Sequence, residues 1–298
     1  MLIRSEKGIA LVLTLMILTI ITAVVVEFAY GVYTSTSALY NWRDSQRLSF
    51  VAKSGVAVAA STISDPSRFG MSPKDLYKYL GRQIPLENVS EGFSGRVIIS
   101  AEDENGKFNL NSIVRVWPDG SQRAFDSFRQ LLGNLRLDES IAARVADWID
   151  MDSNPRLTDS EEGAKNAYMD SVDELLLIRG VERETYEKLL PYVTVYGYGG
   201  TDDPRVNVNT ASIPVIMTLA GIFKESAETL VNQRELKPFN SPGEAANIGI
   251  NLPTSFFLAE TPRNFRITAV GEENKIRRVI ESVINTGAGS QVKYWREI

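Results

Sequence analysis

A run of 18 residues without a charge, residues 9–26 (IALVLTLMILTIITAVVV), stands almost at the start of the sequence and constrains everything after it. At 1.5 Å per residue a helix of that length spans about 27 Å, just enough to cross the hydrocarbon core of a bilayer. Glu27 is the first charge after it, and Phe28, Ala29 and Tyr30 extend the weakly polar end. Arg4 and Lys7 precede the run, so the positive-inside rule puts the short N-terminus in the cytoplasm and the rest outside. An ordinary signal peptide would have a shorter apolar run followed by a small-residue cleavage site, and no clear site of that kind follows here. A plain signal anchor fits the same residues.

The helix is expected to continue past the membrane. Residues 31–63 contain no proline and keep helical spacing through Leu39, Trp42, Leu48, Val51, Gly55, Val58 and Ile63, with Arg43, Asp44, Arg47 and Lys53 between them. One helix of roughly 50 residues, stopped by Ser64-Asp65-Pro66, is the simplest reading. Its first half lies in lipid and its second half packs on a domain, with Val51, Gly55 and Val58 expected beside sister helices. A bare anchor needs no such rigid continuation. The leader resembles that of type IV prepilins, which are cut before the apolar run and after a glycine next to a basic residue; Lys7-Gly8-Ile9 matches. Most such subunits carry Glu at the fifth position after the cut, where this chain has Leu13. A carboxylate in lipid is costly unless it is paired, so this subunit gives up that contact with a neighbour.

Composition narrows the chemistry. There is no His and no Cys among the 298 residues, which excludes Ser-His-Asp and Cys-His catalysis, thiolate or imidazole metal sites, and disulfides. Lys and Arg total 32 against 37 Asp and Glu, a net charge of −5, which argues against a broad nucleic-acid surface. No nucleophile, base and phosphate-binding loop occur together, so the chain reads as no enzyme.

Outside the stem, residues 95–101 (GRVIISA) alternate and are β-branched, and an Asn-Gly turn at Asn105-Gly106 suggests a hairpin back through residues 107–110. Residues 264–270 and 276–284 read as a second strand pair, with a last strand over residues 292–295. The pattern between these β regions is helical. The chain is therefore expected to be α+β, a sheet built from both ends with helices inserted. The insertion repeats itself: Asn109-Leu110-Asn111-Ser112 and Asn207-Val208-Asn209-Thr210 each precede a helical stretch, where such residues cap helix N-termini. Residues 197–200 (GYGG) read as a mobile linker between the two helical units.

The segments EDENGKFNLNS (102–112), ADWIDMDSNP (146–155), SVDELLLIRGVERETYEKLLPYVTVYG (171–197) and RVNVNTAS (205–212), with the leader lacking its fifth-position Glu, resemble the minor pseudopilin K family of the bacterial type II secretion system (general secretion pathway protein K). The resemblance implies a prepilin leader over residues 1–8, a stem helix over 9–63, a pilin-like α/β domain from 64–110 and 261–298, and two inserted SAM-like or helix-hairpin-helix-like units at 111–200 and 205–260. It also implies an inner-membrane, single-pass protein with a periplasmic body at the tip of the pseudopilus. Its partners would be the minor pseudopilins I and J, other pseudopilins and the inner-membrane secretion platform. Prepilin peptidase would cut after Gly8 and methylate Ile9.

A different reading rests on residues 207–250, which resemble the helix-hairpin-helix module of DNA-binding competence proteins. Such modules hold phosphate at a Gly-apolar-Gly hairpin. Here the hairpins are Gly180-Val181-Glu182 and Gly221-Ile222-Phe223; both lack the second glycine, and Glu182 would repel phosphate. Lys224, Arg234 and Lys237 are the cations left to that reading.

Asp147, Asp150, Asp152 and Asn154 crowd into eight residues, and the last three have the alternate spacing of calcium loops. No Gly stands at the turn position and no Glu at the twelfth, so this is no EF-hand. Family members bind calcium in the helical domain, with a pattern that continues Gly-Ala-Glu; this chain has Gly163-Ala164-Lys165, so Glu161 or Glu162 would have to replace the missing ligand. Hard oxygen donors make Ca²⁺, in a structural role, the ion implied. An acidic loop with turn bonds to its own backbone explains the same residues without a metal.

Overall fold

A computed structural model describes residues 6–87, 89, 93–118, 120, 122–274, 276–287 and 290–298. The first five residues, including Arg4, lie outside the described part. Helix α1 (Glu6–Ser64) runs 59 residues, about 90 Å, and ends where Asp65-Pro66 breaks its hydrogen-bond ladder. Strands β1 (Gln83–Glu87) and β2 (Arg96–Asp103) follow, then the two-residue β3 (Phe108–Asn109). Helices α2 (Arg123–Asn134), α3 (Ile141–Ile149) and α4 (Arg183–Leu189) lead to the short strands β4 (Val193–Thr194) and β5 (Val206–Asn207). Helices α5 (Ile213–Ala220) and α6 (Lys224–Leu236) and strand β6 (Phe257–Leu258) complete the insertion. The chain closes with β7 (Asn264–Glu273), β8 (Ile276–Asn285) and β9 (Gln291–Glu297).

The main sheet has the order β1-β2-β7-β8-β9, antiparallel throughout, so strands from both ends of the body meet at β2 and β7. The second half of α1 lies across it. Leu48, Ala52, Val56 and Ile63 face Val97, Ile99, Phe265, Ile267, Ala269 and Ile280 in one core. A Cβ on Gly55 would come within 3.2–3.4 Å of Val97, Ile99 and Ala269. Gly55 and the half-buried Val51 therefore serve the chain's own sheet and not a sister helix, and of the three expected there only Val58 stays exposed. Gly271 of β7 sits beneath the backbone of Leu48, where a Cβ would meet the Leu48 carbonyl oxygen at 3.0 Å.

The expected Asn-Gly hairpin does not form. Residues Glu104–Gly106 make a 3₁₀ turn, and β3 leaves the sheet to pair in parallel with β4, Phe108 opposite Val193. Both residues of β3 are buried, so the outward-inward alternation of a sheet strand is lost. Asn105 is occupied elsewhere: its Oδ1 accepts from the backbone N–H of Arg263 and Asn264. Besides β7, β2 pairs with β1, whose five exposed residues, Pro85 among them, suit an edge.

The Asn repeat is a structural repeat. Asn111 grips the backbone of Met169, accepting from its N–H (2.8 Å) and donating to its carbonyl (3.0 Å). Asn209 does the same to Phe239 (2.8 and 3.0 Å). One turn earlier, Asn109 and Asn207 accept from the N–H groups of Asn111 and Asn209. Each copy also carries a two-residue parallel bridge, β3 with β4 and β5 with β6. The two units are fused through one core that includes Phe108, Phe128, Leu175, Val206, Val215 and Phe257. The glycine run between them is pinned and not a mobile linker: Gly199 donates to Asp203 (2.8 Å), Asn109 Nδ2 donates to the carbonyls of Thr201 and Asp203, and Tyr198 is buried.

Candidate functional site

Three features carry functional chemistry: the stem, an acidic loop, and the charged junction between sheet and insertion. The stem holds an 18-residue window of mean hydropathy 3.0 with none of it buried against the body, so α1 is long and apolar enough to cross a membrane. Its polar side chains are satisfied within the helix. Thr14, Thr19 and Thr22 donate to the carbonyls of Leu11, Met16 and Leu18 at 2.7–2.9 Å, the condition for a hydroxyl in lipid. Gly8, Ile9 and Leu13 are all exposed on this helix. Farther along, Leu39, Trp42, Phe50 and Val58 stay exposed, the last two beside a groove shared with Leu86, Val97 and Ile99 of β1 and β2.

In the acidic loop, Asp147 at the end of α3, Asp150 just after it and Glu161 converge, each offering an oxygen within 4.8 Å of the others. Asp147 is fully buried. Arg156 bridges Asp147 and Asp150 through Nη1, and its backbone N–H donates to Asp147 Oδ2 at 2.8 Å. Ser160 donates to the same carboxylate. Asp150 Oδ1 and both oxygens of Glu161 are buried without a partner among the described residues. Burial pushes the Asp150 carboxyl up against the pull of Arg156. Burial and then the nearby Asp147, Asp150 and Asp152 push Glu161 up as well. Uncompensated oxygen donors of this kind fit a hard cation.

The other sequence-derived ligands lie apart from the three. Asp152 is exposed and accepts from the N–H of Asn154 at 2.8 Å, closing a local turn that leaves the Asn154 side chain outside. Glu162 is exposed and faces Arg179 at 3.3 Å. Lys165 turns away to Asp170 (2.7 Å) and Glu174 (3.0 Å), so its charge does not enter the cluster. Asp147, part of the acidic run but outside the expected ligand set, is the residue the spacing argument missed; its place one helical turn before Asp150 was the available signal.

The junction is built on Glu104, fully buried in the turn after β2. It accepts from Lys107 Nζ (2.8 Å), Arg266 Nε of β7 (2.8 Å) and Thr194 Oγ1 of β4 (2.5 Å). Beside it, buried Asp103 accepts from the N–H of Asn105 (2.7 Å), Asn207 Nδ2 (3.0 Å) and Thr210 Oγ1 (2.6 Å). These two acids tie the sheet to both inserted units.

The two hairpins offer little to phosphate. Gly180 and Gly221 take positive φ, but Phe223 stands exposed at the second tip. Arg234 is turned inward to the carbonyls of Val208 (2.7 Å) and Ala211 (2.6 Å), and Lys224 faces Glu228 at 3.4 Å.

Comparison with known proteins agrees with the fold and the motifs. The family described as Type II secretion system (T2SS), protein K, matches residues 106–198 and again residues 206–250. The type II secretion system protein K of Pseudomonas aeruginosa is 26% identical, over 97% of this chain and 92% of its own length. The Klebsiella pneumoniae protein of the same name is 26% identical over 78% of this chain and 74% of its own. The Dickeya chrysanthemi one is 34% identical over 36% of this chain and 34% of its own. Among solved structures, a chain in the GspK-GspI-GspJ complex from the enterotoxigenic Escherichia coli type 2 secretion system superposes with a TM-score of 0.60 at 16% identity. That match covers 88% of this chain and 99% of the other. With both parts of the insertion matched in order and the similarity running through the stem, the chain is similar along most of its length to type II secretion system protein K.

Proposed function

We propose that this chain is a non-enzymatic minor pseudopilin that sits at the tip of a type II secretion pseudopilus and starts or caps its assembly. The observation that carries this reading is the division of α1. Its first half is apolar and exposed on all sides, while its second half is fixed to the sheet through Leu48, Ala52 and Val56. Such a helix can slide among like helices in the membrane and carry a rigid body with it. The stem anchors the protein once in the inner membrane, N-terminus inside and body in the periplasm, in line with the positive-inside rule. Prepilin peptidase cuts between Gly8 and Ile9 and methylates the new amine. Leu13 provides no carboxylate for a neighbour's amine, which suits a terminal subunit. The bulk inserted between β2 and β7 suits a tip and obstructs a shaft.

A complex of GspK with GspI and GspJ is the setting of the structural match, and by analogy the partners here are the minor pseudopilins I and J of the same bacterium. Leu39, Trp42, Phe50 and Val58 are the exposed apolar residues of the stem that they would cover. Co-expression of the full chain with both partners, followed by detergent extraction and size-exclusion chromatography, should give co-elution of all three. Elution of this chain alone from membranes that contain both partners would contradict the assignment.

The acidic loop is read as a structural calcium site held by Asp147, Asp150 and Glu161. The bound ion would order the loop that follows α3, displacing Arg156 from its bridge. Calcium at 100-fold over its dissociation constant should stabilise the full chain by about 2.7 kcal/mol. The gain should appear as a higher melting temperature, and vanish in D150N/E161Q. A melting temperature indifferent to millimolar calcium would remove the site.

A further inference from the structure

A cavity of about 900 Å³ opens where the body meets the second inserted unit, away from both the stem and the acidic loop. Its floor is the Asp103–Thr210 contact; its walls are the 3₁₀ turn Pro73–Lys78 with Arg82 on one side and the C-terminal end of α6 on the other. The volume lies within the range of sites that enclose a ligand.

The charges around it balance in number but not all of them are paired. Lys78 is matched by Asp75 at 2.6 Å, and Lys107 by Glu102 (3.1 Å) and Glu104 (2.8 Å). Three cations make no ion pair among the described residues. Lys74 donates to the Asn240 side chain and feels Glu244 beyond it only at longer range, and Arg82 makes no ion pair among the described residues. Arg234 spends Nη1 on two backbone carbonyls and has no carboxylate partner within ion-pair distance, although exposed Glu235 beside it favours its charge. Its burial drags the guanidinium down to about 10, a sign of a cation short of counter-charge. Two acids face the same space without a cationic partner, Glu235 at the rim and Asp103 on the floor, and burial holds Asp103 largely neutral below about pH 6.

Next to Arg234 in the same wall, the Ser212 hydroxyl is buried without a hydrogen-bond partner, and it leaves the N-terminus of α5 uncapped by its side chain. A buried hydroxyl left unpaired costs about 1–3 kcal/mol, so an acceptor is missing from this wall. An unpaired hydroxyl beside a buried guanidinium with no carboxylate partner, set among Leu80, Pro191, Leu236 and Pro238, calls for an oxyanion carried on an apolar backbone.

We propose that the cleft between the Pro73–Lys78 turn and the end of α6 binds an acidic peptide segment of another protein, with one carboxylate on Arg234 and Ser212 and further acids toward Lys74 and Arg82. Apolar side chains of the same segment rest on Leu236 and Pro238. This site is independent of the stem contacts with other pseudopilins.

Fluorescence anisotropy of the full chain in non-ionic detergent tests it, with a fluorescein-labelled hexapeptide Glu-Leu-Glu-Glu-Leu-Glu as probe and its Gln-for-Glu counterpart as control. The acidic peptide should bind saturably and weaken between 50 and 300 mM NaCl, as screening demands, on the order of severalfold. Because Arg234 also supports the backbone, the variants are at exposed positions. K74E/R82E should lose about tenfold in affinity with an unchanged melting temperature, while K293E on β9 should bind as the parent does. Equal binding of the Gln peptide, unchanged binding by K74E/R82E, or full displacement by inorganic phosphate at probe concentration would overturn the proposal, the last by reducing the cleft to a simple anion site.

Discussion

Glu104→Gln is expected to cost about 3–5 kcal/mol, the penalty for breaking a buried ion pair from one side. Lys107 and Arg266 would stay behind with side chains only 10% and 16% exposed, and Lys107 would keep Glu102 alone at 3.1 Å. The loss reaches beyond one contact, because Arg266 belongs to the sheet and Thr194 to the insertion, so the variant loosens the joint between them. Burial by itself would raise the Glu104 pKa; Lys107 and Arg266 overcome it and hold the group at about 2. A carboxylate depressed in the folded state stabilises fully above its unfolded value, 4.5, and that contribution fades as pH falls toward 2. Denaturant unfolding of the intact chain in detergent, followed by the fluorescence of Trp117 and Trp148 in the insertion, reads the difference. A loss below about 1 kcal/mol, the value of an exposed pair, would contradict the role given to Glu104.

Asp103 has the opposite sign. Burial pushes its pKa from 3.8 to about 6, although Thr210, the Asn105 N–H and Asn207 all donate to the carboxylate. Between those two values the folded protein holds a proton that the unfolded chain releases, so stability falls as pH rises, by about 3 kcal/mol in all. Asn at this position imitates the protonated acid. Asp103→Asn should therefore flatten the stability curve between pH 4 and 6, apart from a constant offset for the acceptor lost to Asn207. Parallel curves for parent and variant across that range would show that Asp103 titrates normally.

Local pattern explains which parts of this molecule can be read from the chain. The stem is legible because lipid tolerates one kind of sequence, and Asp65-Pro66 marks its end. Strands β7 and β8 are legible through their alternation, and the Asn repeat through its spelling. What fails is long-range. The Asn105-Gly106 pair has the letters of a hairpin, but the Asn105 side chain is claimed by Arg263 and Asn264, 158 and 159 residues away. Glu104 looks like one more acid of a surface turn until Arg266, 162 residues on, arrives beside it. The glycine run before Thr201 suggests freedom, but Asp203 takes up the Gly199 N–H and Asn109 holds the Thr201 carbonyl just beyond the run. The acidic loop is half legible: the crowding of acids is visible, whereas the choice of Asp147, Asp150 and Glu161 depends on how the chain after α3 folds back.

The account rests on a stem that is released at Gly8 to join other stems. Intact-mass and peptide mass spectrometry of the chain, purified from membranes that contain active prepilin peptidase, tests this directly. The account predicts an N-terminal peptide beginning at Ile9 and carrying one methyl group. A chain that still begins at Met1 in those membranes would make the helix an ordinary anchor and end the pseudopilin reading.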